Sequence, residues 1–152
     1  VNDDQTVQAI AQMLARVGIA TRVETMPWAS FATRSNRPDF SLIYIGWLSA
    51  TGEASSTLRS LLATFDREAG MGSSNRGRYS NPAFDAALRA GLAEMDDGAR
   101  QERLRAATRL AMEDQGIVPL LYQYSVWAAR RPLAYTARAD DQTWAVWVRP
   151  TP

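Results

Sequence analysis

Asp39-Phe40-Ser41-Leu42-Ile43-Tyr44-Ile45-Gly46-Trp47 is the stretch that decides the predicted fold. Its apolar residues, positions 42–45, run without interruption between more polar neighbours. Such a run is typical of a strand that is covered on both faces. Strands of this kind occur mainly in sheets that helices flank. The stretch therefore predicts a buried strand of an α/β domain.

The residues before this strand predict two helices separated by another strand. Apolar side chains recur at helical spacing up to Val17, with acidic residues at the start and Gly18 at the end. Residues 19–26 alternate apolar with charged, which indicates a half-buried strand, and Pro27-Trp28 opens a short helix. The order helix, strand, helix, strand predicts parallel strands joined by helical crossovers.

The rest of the chain is predicted to combine loops, a helical hairpin and two further strands. A polar loop over 46–56 leads into a short leucine-containing helix, and an irregular, glycine-rich stretch follows over 64–81. Asn81-Pro82 and Asp97-Gly98 begin two amphipathic helices that form a hairpin. The remaining candidates are strands, at 117–127 and at 144–148.

Composition excludes several classes of function. The 152 residues include 46% apolar side chains, and 17 arginines are interspersed with 16 acids, for a net charge of +1. No basic block for nucleic acid is present. The chain has neither Cys nor His, which excludes disulfides, Cys/His zinc sites and a Ser-His-Asp triad. We therefore predict no catalytic residue, no metal ligand and no cofactor.

The start of the sequence suggests an excerpt, and no membrane span is predicted. No run reaches the roughly 18 apolar residues of a membrane span. The chain begins with Val1, and its first residues are acidic where a signal peptide would be basic. We expect it to be part of a longer protein.

Five short stretches together resemble one family, although each is weak alone. They are Gln12-Met13-Leu14 through Val17-Gly18-Ile19, Gly46-Trp47, Arg78-Tyr79-Ser80-Asn81-Pro82, Phe84-Asp85-Ala86-Ala87-Leu88, and Glu113-Asp114 with Ile117-Val118-Pro119-Leu120. Their order and spacing resemble the carboxy-terminal third of the family 5 extracellular solute-binding proteins, which include dipeptide-, oligopeptide- and nickel-binding members. The resemblance covers essentially all 152 residues.

The resemblance implies the architecture and the partners. The fold would be the carboxy-terminal lobe of a two-lobe periplasmic-binding-protein (type II) fold, a mixed sheet flanked by helices. Residues 1–128 would form this α/β lobe, incomplete at its start, and 129–152 would cross back onto the other lobe. The protein would be periplasmic or extracellular, and would deliver a small peptide or peptide-like solute to an ABC permease. Trp144 and Trp147 would then lie on an incomplete surface, so the isolated chain is expected to be less stable or to dimerise.

The resemblance also implies where the ligand binds. The loop after the Gly-Trp strand end lines the cavity in the family, as expected for an α/β sheet. Its candidate ligand-binding residues here are Trp47, Leu48, Ser49, Ala50, Thr51, Gly52 and Glu53. The Gly70–Arg78 stretch would lie near the cavity mouth, with Asn75, Arg76 and Tyr79 as further candidates.

One position of this loop departs from the family. Ala50 stands where members that grip a free α-amine place an aspartate, and alanine cannot pair with an ammonium group. Glu53, three residues later, is a candidate substitute. A ligand without a free amine, such as a modified peptide or a sugar derivative, is therefore favoured.

Other interpretations of these residues stay open. Trp47 also fits the end of a core strand, and 70–78 also fits a solvated loop, whereas a P-loop does not match it. Adjacent acids fit helix caps better than a glycosidase pair. The competing functions are a solute-sensing relative of the same fold and an α/β enzyme that uses carboxylates.

Overall fold

The computed structural model of the chain describes residues 3–49 and 51–151. Its helices in that part of the chain are α1 (Asp3–Arg16), α2 (Trp28–Arg34), α3 (Ala54–Thr57), α4 (Pro82–Ala93) and α5 (Asp97–Glu113). A π-helical turn, Leu58–Leu62, continues α3 directly. Two short strands, β1 (Leu133–Tyr135) and β2 (Val148–Pro150), lie near the end of the chain, and a 3₁₀ turn, Ala145–Trp147, precedes β2. None of the helices over 3–49 and 51–151 is both long and apolar enough to cross a membrane.

The predicted helices are confirmed, and their caps explain where two of them begin. The Asn81 side chain accepts hydrogen bonds from the backbone N–H groups of Ala83 at 2.9 Å and Phe84 at 3.1 Å, and Pro82 occupies the first helical position. Asp96 caps α5 in the same way, accepting from the Ala99 N–H at 2.8 Å. These bonds satisfy N–H groups that have no partner within the helix.

The hydrophobic core lies between the α4–α5 hairpin and the π-helical turn. Phe84 and Leu88 of α4 are fully buried, and Leu62 of the turn is nearly so. Gly91 allows the two helices to approach closely, because a Cβ atom there would lie 3.0 Å from Leu104 Cδ2. The buried members of this core are Leu58, Leu62, Ala63, Met71, Phe84, Leu88, Leu104, Ala107 and Ala111.

The irregular stretch between the π-helical turn and α4 is folded back on itself by backbone hydrogen bonds. Asp66 and Met71 form an antiparallel bridge, and the Gly72 N–H donates to the Arg59 carbonyl at 2.8 Å. Gly72 has φ +65°, and a Cβ atom there would lie 2.4 Å from the Ala63 carbonyl oxygen. The prediction of a long irregular segment is confirmed, and its glycines include one that no other residue can replace without strain.

The strands predicted at 19–26, 39–47 and 117–127 are wrong. None of these segments forms a ladder with another strand. Leu42 is 72% exposed, so the 42–45 run is not covered on both faces, and Tyr122 and Tyr124 are 99% and 94% exposed. A strand requires a hydrogen-bonding neighbour, which an apolar run by itself does not supply. The predicted parallel crossovers are wrong for the same reason.

The sheet that the described residues do contain is a small hairpin near the end of the chain. β1 pairs with β2 antiparallel, with Leu133 opposite Pro150 and Tyr135 opposite Val148. The strand predicted at 144–148 is displaced, because 145–147 form the 3₁₀ turn. The Arg138 guanidinium carbon lies 5.6 Å from the Trp144 ring centroid and 5.7 Å from that of Trp147. The division of the chain at residue 128 stays a prediction.

Candidate functional site

The predicted ligand loop leads directly into α3. Trp47 at its start is 43% exposed, and Leu48 beside it is also exposed. The Ser49 hydroxyl donates to the Glu53 carbonyl at 3.0 Å, and the Glu53 N–H donates to Thr51 Oγ1 at 3.4 Å. The two hydroxyls expected to orient a ligand therefore already fold the loop around Glu53. Ala50 lies outside the described residues.

Glu53, the acid of this loop, is engaged by the side chains of Arg100 and Ser55. Its carboxylate accepts two hydrogen bonds from Arg100 of α5, from Nε to Oε1 at 2.6 Å and from Nη2 to Oε2 at 3.1 Å. The Ser55 hydroxyl also donates to it. The Arg100 bond, followed by the Ser55 bond, lowers the pKa of Glu53 to about 2. A ligand ammonium group that used Glu53 in place of the missing aspartate would compete with a guanidinium.

Arg100 connects the ligand loop to the helical hairpin. Its Nη1 donates to two carbonyls near the end of α4, those of Gly91 at 3.0 Å and Leu92 at 3.3 Å. The last carbonyls of a helix have no partner within it, so a cation there satisfies them. The sequence analysis missed Arg100, since no local pattern marks an arginine whose partner lies 47 residues away.

The same part of the loop lines an open groove of about 800 Å³. Residues 51–54 form one wall, and α5 residues between Asp97 and Arg109 form the other. Leu104 is an apolar residue of this lining, whereas Gln101, Arg105 and Thr108 supply polar groups. A second groove, of about 490 Å³, lies on α2 and includes none of the predicted site residues.

Asn75 organises the backbone of the irregular stretch. Its side-chain amide donates to the carbonyls of Ala63 at 3.0 Å and Tyr79 at 2.7 Å, and its oxygen accepts from the Tyr79 N–H at 3.0 Å. Both polar ends of the side chain, the amide nitrogen and the oxygen, are therefore bonded to the backbone. In this structure Asn75 is a structural bracket.

Tyr79 and Asn81 both hold Asp114, the residue after α5. The Tyr79 hydroxyl donates to Asp114 Oδ2 at 2.9 Å, and the Asn81 amide donates to the same oxygen at 2.8 Å. Partial burial, and next the bond to Asp114, raise the pKa of Tyr79 above its ordinary value. The motif Arg78–Pro82, which carried part of the family resemblance, thus fixes the start of α4 to the end of α5.

The two groups of predicted site residues attach to opposite ends of α5. Glu53 reaches Arg100 near its start, whereas Tyr79 reaches Asp114 just after its end. Fourteen residues of helix separate these contacts by about 20 Å. Arg76 points elsewhere again, since its Nη1 donates to the Asn36 side chain after α2. The loop over 47–53 is therefore the more coherent candidate site.

Several acids in the described part of the chain are engaged in ion pairs and helix caps. No group of three or more His, Cys, Asp or Glu side chains that could hold a metal ion occurs over 3–49 and 51–151. The adjacent acids Asp96-Asp97 serve as the cap and first turn of α5, as predicted. Asp140 pairs with Arg138, and this bond lowers the pKa of Asp140 to about 2.

Comparisons with known proteins agree on one kind of relative. The periplasmic murein peptide-binding protein MppA of Escherichia coli (strain K12) is 28% identical over 125 residues, which make up 82% of this chain and 22% of MppA. The periplasmic oligopeptide-binding protein OppA of Salmonella typhimurium is 27% identical over 106 residues, 70% of this chain and 18% of OppA. No protein-family model matches the chain.

A solved structure gives the same result for the fold. The unliganded open form of MppA superposes with a TM-score of 0.64 and 26% sequence identity, over 76% of this chain and 21% of that one. The chain spans about a fifth of the length of the curated relatives that it matches. Both named relatives are binding proteins.

The alignments to two peptide-binding proteins cover most of the chain, and 76% of the chain shares its fold with one of them. The resemblance found in the sequence, which includes Gly46-Trp47 and the Arg78–Pro82 motif, also indicates a solute-binding protein. The chain is thus similar to periplasmic peptide-binding proteins over most of its length, and its fold is part of a lobe of a two-lobe, type II periplasmic-binding-protein fold.

Proposed function

We propose that the longer protein containing this chain is a periplasmic receptor that captures a peptide or peptide-like solute for an ABC importer. One observation carries the proposal: proteins named for periplasmic peptide binding align with 70–82% of the chain. This chain would supply part of the carboxy-terminal lobe, and closure of the two lobes would enclose the ligand.

The geometry of the 47–53 loop supports a binding role. Exposed Trp47 offers a flat apolar wall next to a loop whose backbone is fixed by the Ser49 and Thr51 hydroxyls. A pre-ordered loop loses less conformational entropy when a ligand binds, which favours affinity. Its acid, Glu53, is neutralised by Arg100, so this loop favours ligands that do not depend on a buried carboxylate.

The ligand class that we propose is a peptide whose amino terminus is blocked or otherwise uncharged. Ala50 provides no carboxylate at the position where the family places an aspartate. Glu53 is paired with Arg100. An uncharged amino terminus would avoid the cost of leaving an ammonium group desolvated without a partner.

The protein is proposed not to be an enzyme. Its acids are engaged in caps and ion pairs, such as Asp96 with Ala99 and Glu53 with Arg100. A carboxylate enzyme would need two acids that converge on a substrate. A solute-sensing role would use the same ligand site. Import and sensing would therefore differ in the partner that the longer protein contacts.

Native mass spectrometry of the gently purified longer protein tests this function. We expect a small mass that is retained under native conditions and lost on denaturation, with a value that matches a modified short peptide. Isothermal titration with trialanine and N-acetyl-trialanine then tests the ligand class, and the acetylated peptide is expected to bind more tightly. An empty protein that binds neither peptide and instead converts substrates would contradict the proposal.

A further inference from the structure

Glu53 is the point where the candidate ligand loop meets the helical hairpin. Ser49 and Thr51, among the loop residues that the structure describes, make local hydrogen bonds. The Glu53 carboxylate makes the long-range contact, a two-pronged ion pair with Arg100 of α5. The loop's position relative to the core therefore depends on where that arginine is held.

Arg100 is held by groups outside the loop. Its third nitrogen donates to the Gly91 and Leu92 carbonyls near the end of α4, and the side chain is only about a quarter exposed. A guanidinium presents its donors in a rigid planar fork, so fixing one nitrogen on α4 also fixes the two that face Glu53. An ammonium group on a lysine could not reproduce this arrangement.

We propose that Arg100 is a positioning residue that sets the placement of the 47–53 ligand loop through Glu53. The guanidinium ties the loop to the α4–α5 hairpin, so that the Trp47 wall is presented in one orientation before a ligand arrives. All three Arg100 nitrogens are already engaged by Glu53 and the α4 carbonyls, so the proposed role is positioning and not ligand contact. The inference builds on the proposed binding role of the loop, and its main test does not require a ligand.

The test compares amide hydrogen exchange in the longer protein and its variants. Arg100→Gln removes the fork, Arg100→Lys keeps the charge, and Glu53→Ala removes the loop's partner but leaves the α4 carbonyl contacts of Arg100. Arg103→Gln is the matched control, because Arg103 is also on α5 and pairs with Glu94 at 3.1 Å, outside the loop.

Arg100→Gln and Glu53→Ala should each raise exchange over 47–53 about two- to fivefold, the range expected for loss of a partly exposed ion pair. Arg100→Lys should give a smaller increase, and Arg103→Gln should leave this segment unchanged. Exchange of core amides around Phe84 and Leu104 should not change in any variant. Equal effects of Arg100→Gln and Arg103→Gln, or a rise that is as large in the core, would overturn the inference.

Binding measurements separate this inference from the proposed function. With N-acetyl-trialanine as the probe, Arg100→Gln should weaken affinity severalfold, mainly by slowing association, while Arg103→Gln keeps the wild-type value. If the wild-type protein binds neither trialanine nor its acetylated form, the ligand proposal fails. The exchange results over 47–53 still decide the role of Arg100 in that case.

Discussion

The Glu53 carboxylate is the group whose charge state controls how the ligand loop is held. Its pKa, normally 4.5, is lowered to about 2, chiefly by the bond from Arg100. A depressed folded-state pKa means that the pair stabilises the protein fully above pH 4.5 and that this contribution is lost as the pH falls through about 2. The charge of Asp97 also acts on this pair, because it contributes to raising the pKa of Arg100.

The first prediction follows from this pKa. The Trp47 fluorescence signal, obtained as the difference between wild type and Trp47→Phe, should stay constant from neutral pH to about pH 4.5 and change only below it. In a Glu53→Gln background that acid transition should disappear, because the side chain no longer titrates. The same transition in both backgrounds would show that another group is responsible.

A second prediction concerns Ala50, which stands at the proposed amine-binding position. Ala50→Asp places a carboxylate there, and a charge-assisted hydrogen bond to the ligand should raise affinity for trialanine about tenfold. Affinity for N-acetyl-trialanine should not improve, which makes that peptide the control. The ratio of the two dissociation constants, measured by titration calorimetry, is the test, and an unchanged ratio would refute the prediction.

A third prediction addresses the contact between the start of α4 and the end of α5. Tyr79→Phe removes the hydroxyl that donates to Asp114 and should lower the free energy of unfolding by about 1 kcal/mol. Tyr135→Phe is a matched control, since that hydroxyl donates to the Gln142 carbonyl in the terminal hairpin. If urea unfolding of the α4–α5 core responds to both substitutions equally, the special role of Tyr79 is refuted.

Helices were predictable from the sequence because their signals are local. The Asn81-Pro82 start, the Asp96 cap and the 3.6-residue apolar period all lie within one element. Extended segments were not predictable, since a strand depends on a neighbour elsewhere in the chain. The 42–45 run has the composition of a buried strand but is partly exposed and unpaired.

The candidate site shows the same division between local and long-range information. The loop over 47–53 was predicted from the family resemblance carried by Gly46-Trp47, and its ligand role stays a prediction. The Glu53–Arg100 pair, the Asn75 bracket and the Tyr79–Asp114 bond could not be predicted, because each depends on how distant segments pack. Asn75 was predicted as a ligand contact, and that role stays a prediction; the structure shows its side chain bonded to backbone groups.

The irregular stretch between the π-helical turn and α4 allows a fourth prediction. Gly72→Ala places a Cβ atom 2.4 Å from the Ala63 carbonyl and 2.8 Å from Phe65 Cα, at φ +65°. The substitution should destabilise the protein by about 2 kcal/mol or more, since the backbone conformation and the contact both oppose it. Thermal unfolding would measure this effect.

Gly77→Ala provides the control within the same stretch. No atom lies within 4 Å of a Cβ built at Gly77, so the substitution meets open space. Its melting temperature should stay near the wild-type value or rise slightly, because alanine restricts the unfolded chain. Equal destabilisation by the two substitutions would mean that the stretch is not held at Gly72.

At the scale of the whole molecule, the described part of the 152-residue chain exposes many large apolar side chains. Residues 117–126 are extended and unpaired, and include Leu121, Tyr122, Tyr124 and Val126, which are more than half exposed. Trp144 is also more than half exposed, although Arg138 stacks over its ring. Large contiguous apolar surfaces are normally covered by another part of the protein or by a partner.

The exposed segment supports the last prediction, that the isolated chain self-associates or is less stable than the longer protein. Sedimentation velocity should show a weight-average sedimentation coefficient that rises with concentration. Val126→Lys should reduce this rise by placing a charge in the apolar segment, whereas Arg89→Lys, on the exposed face of α4, should not.

The chain spans about a fifth of its relatives' length, so the remaining polypeptide is the natural cover for this surface. Accordingly, the longer protein should stay monomeric under the same conditions and melt at a higher temperature. A monomeric isolated chain with a single cooperative transition at the melting temperature of the longer protein would show that residues 117–126 need no such cover.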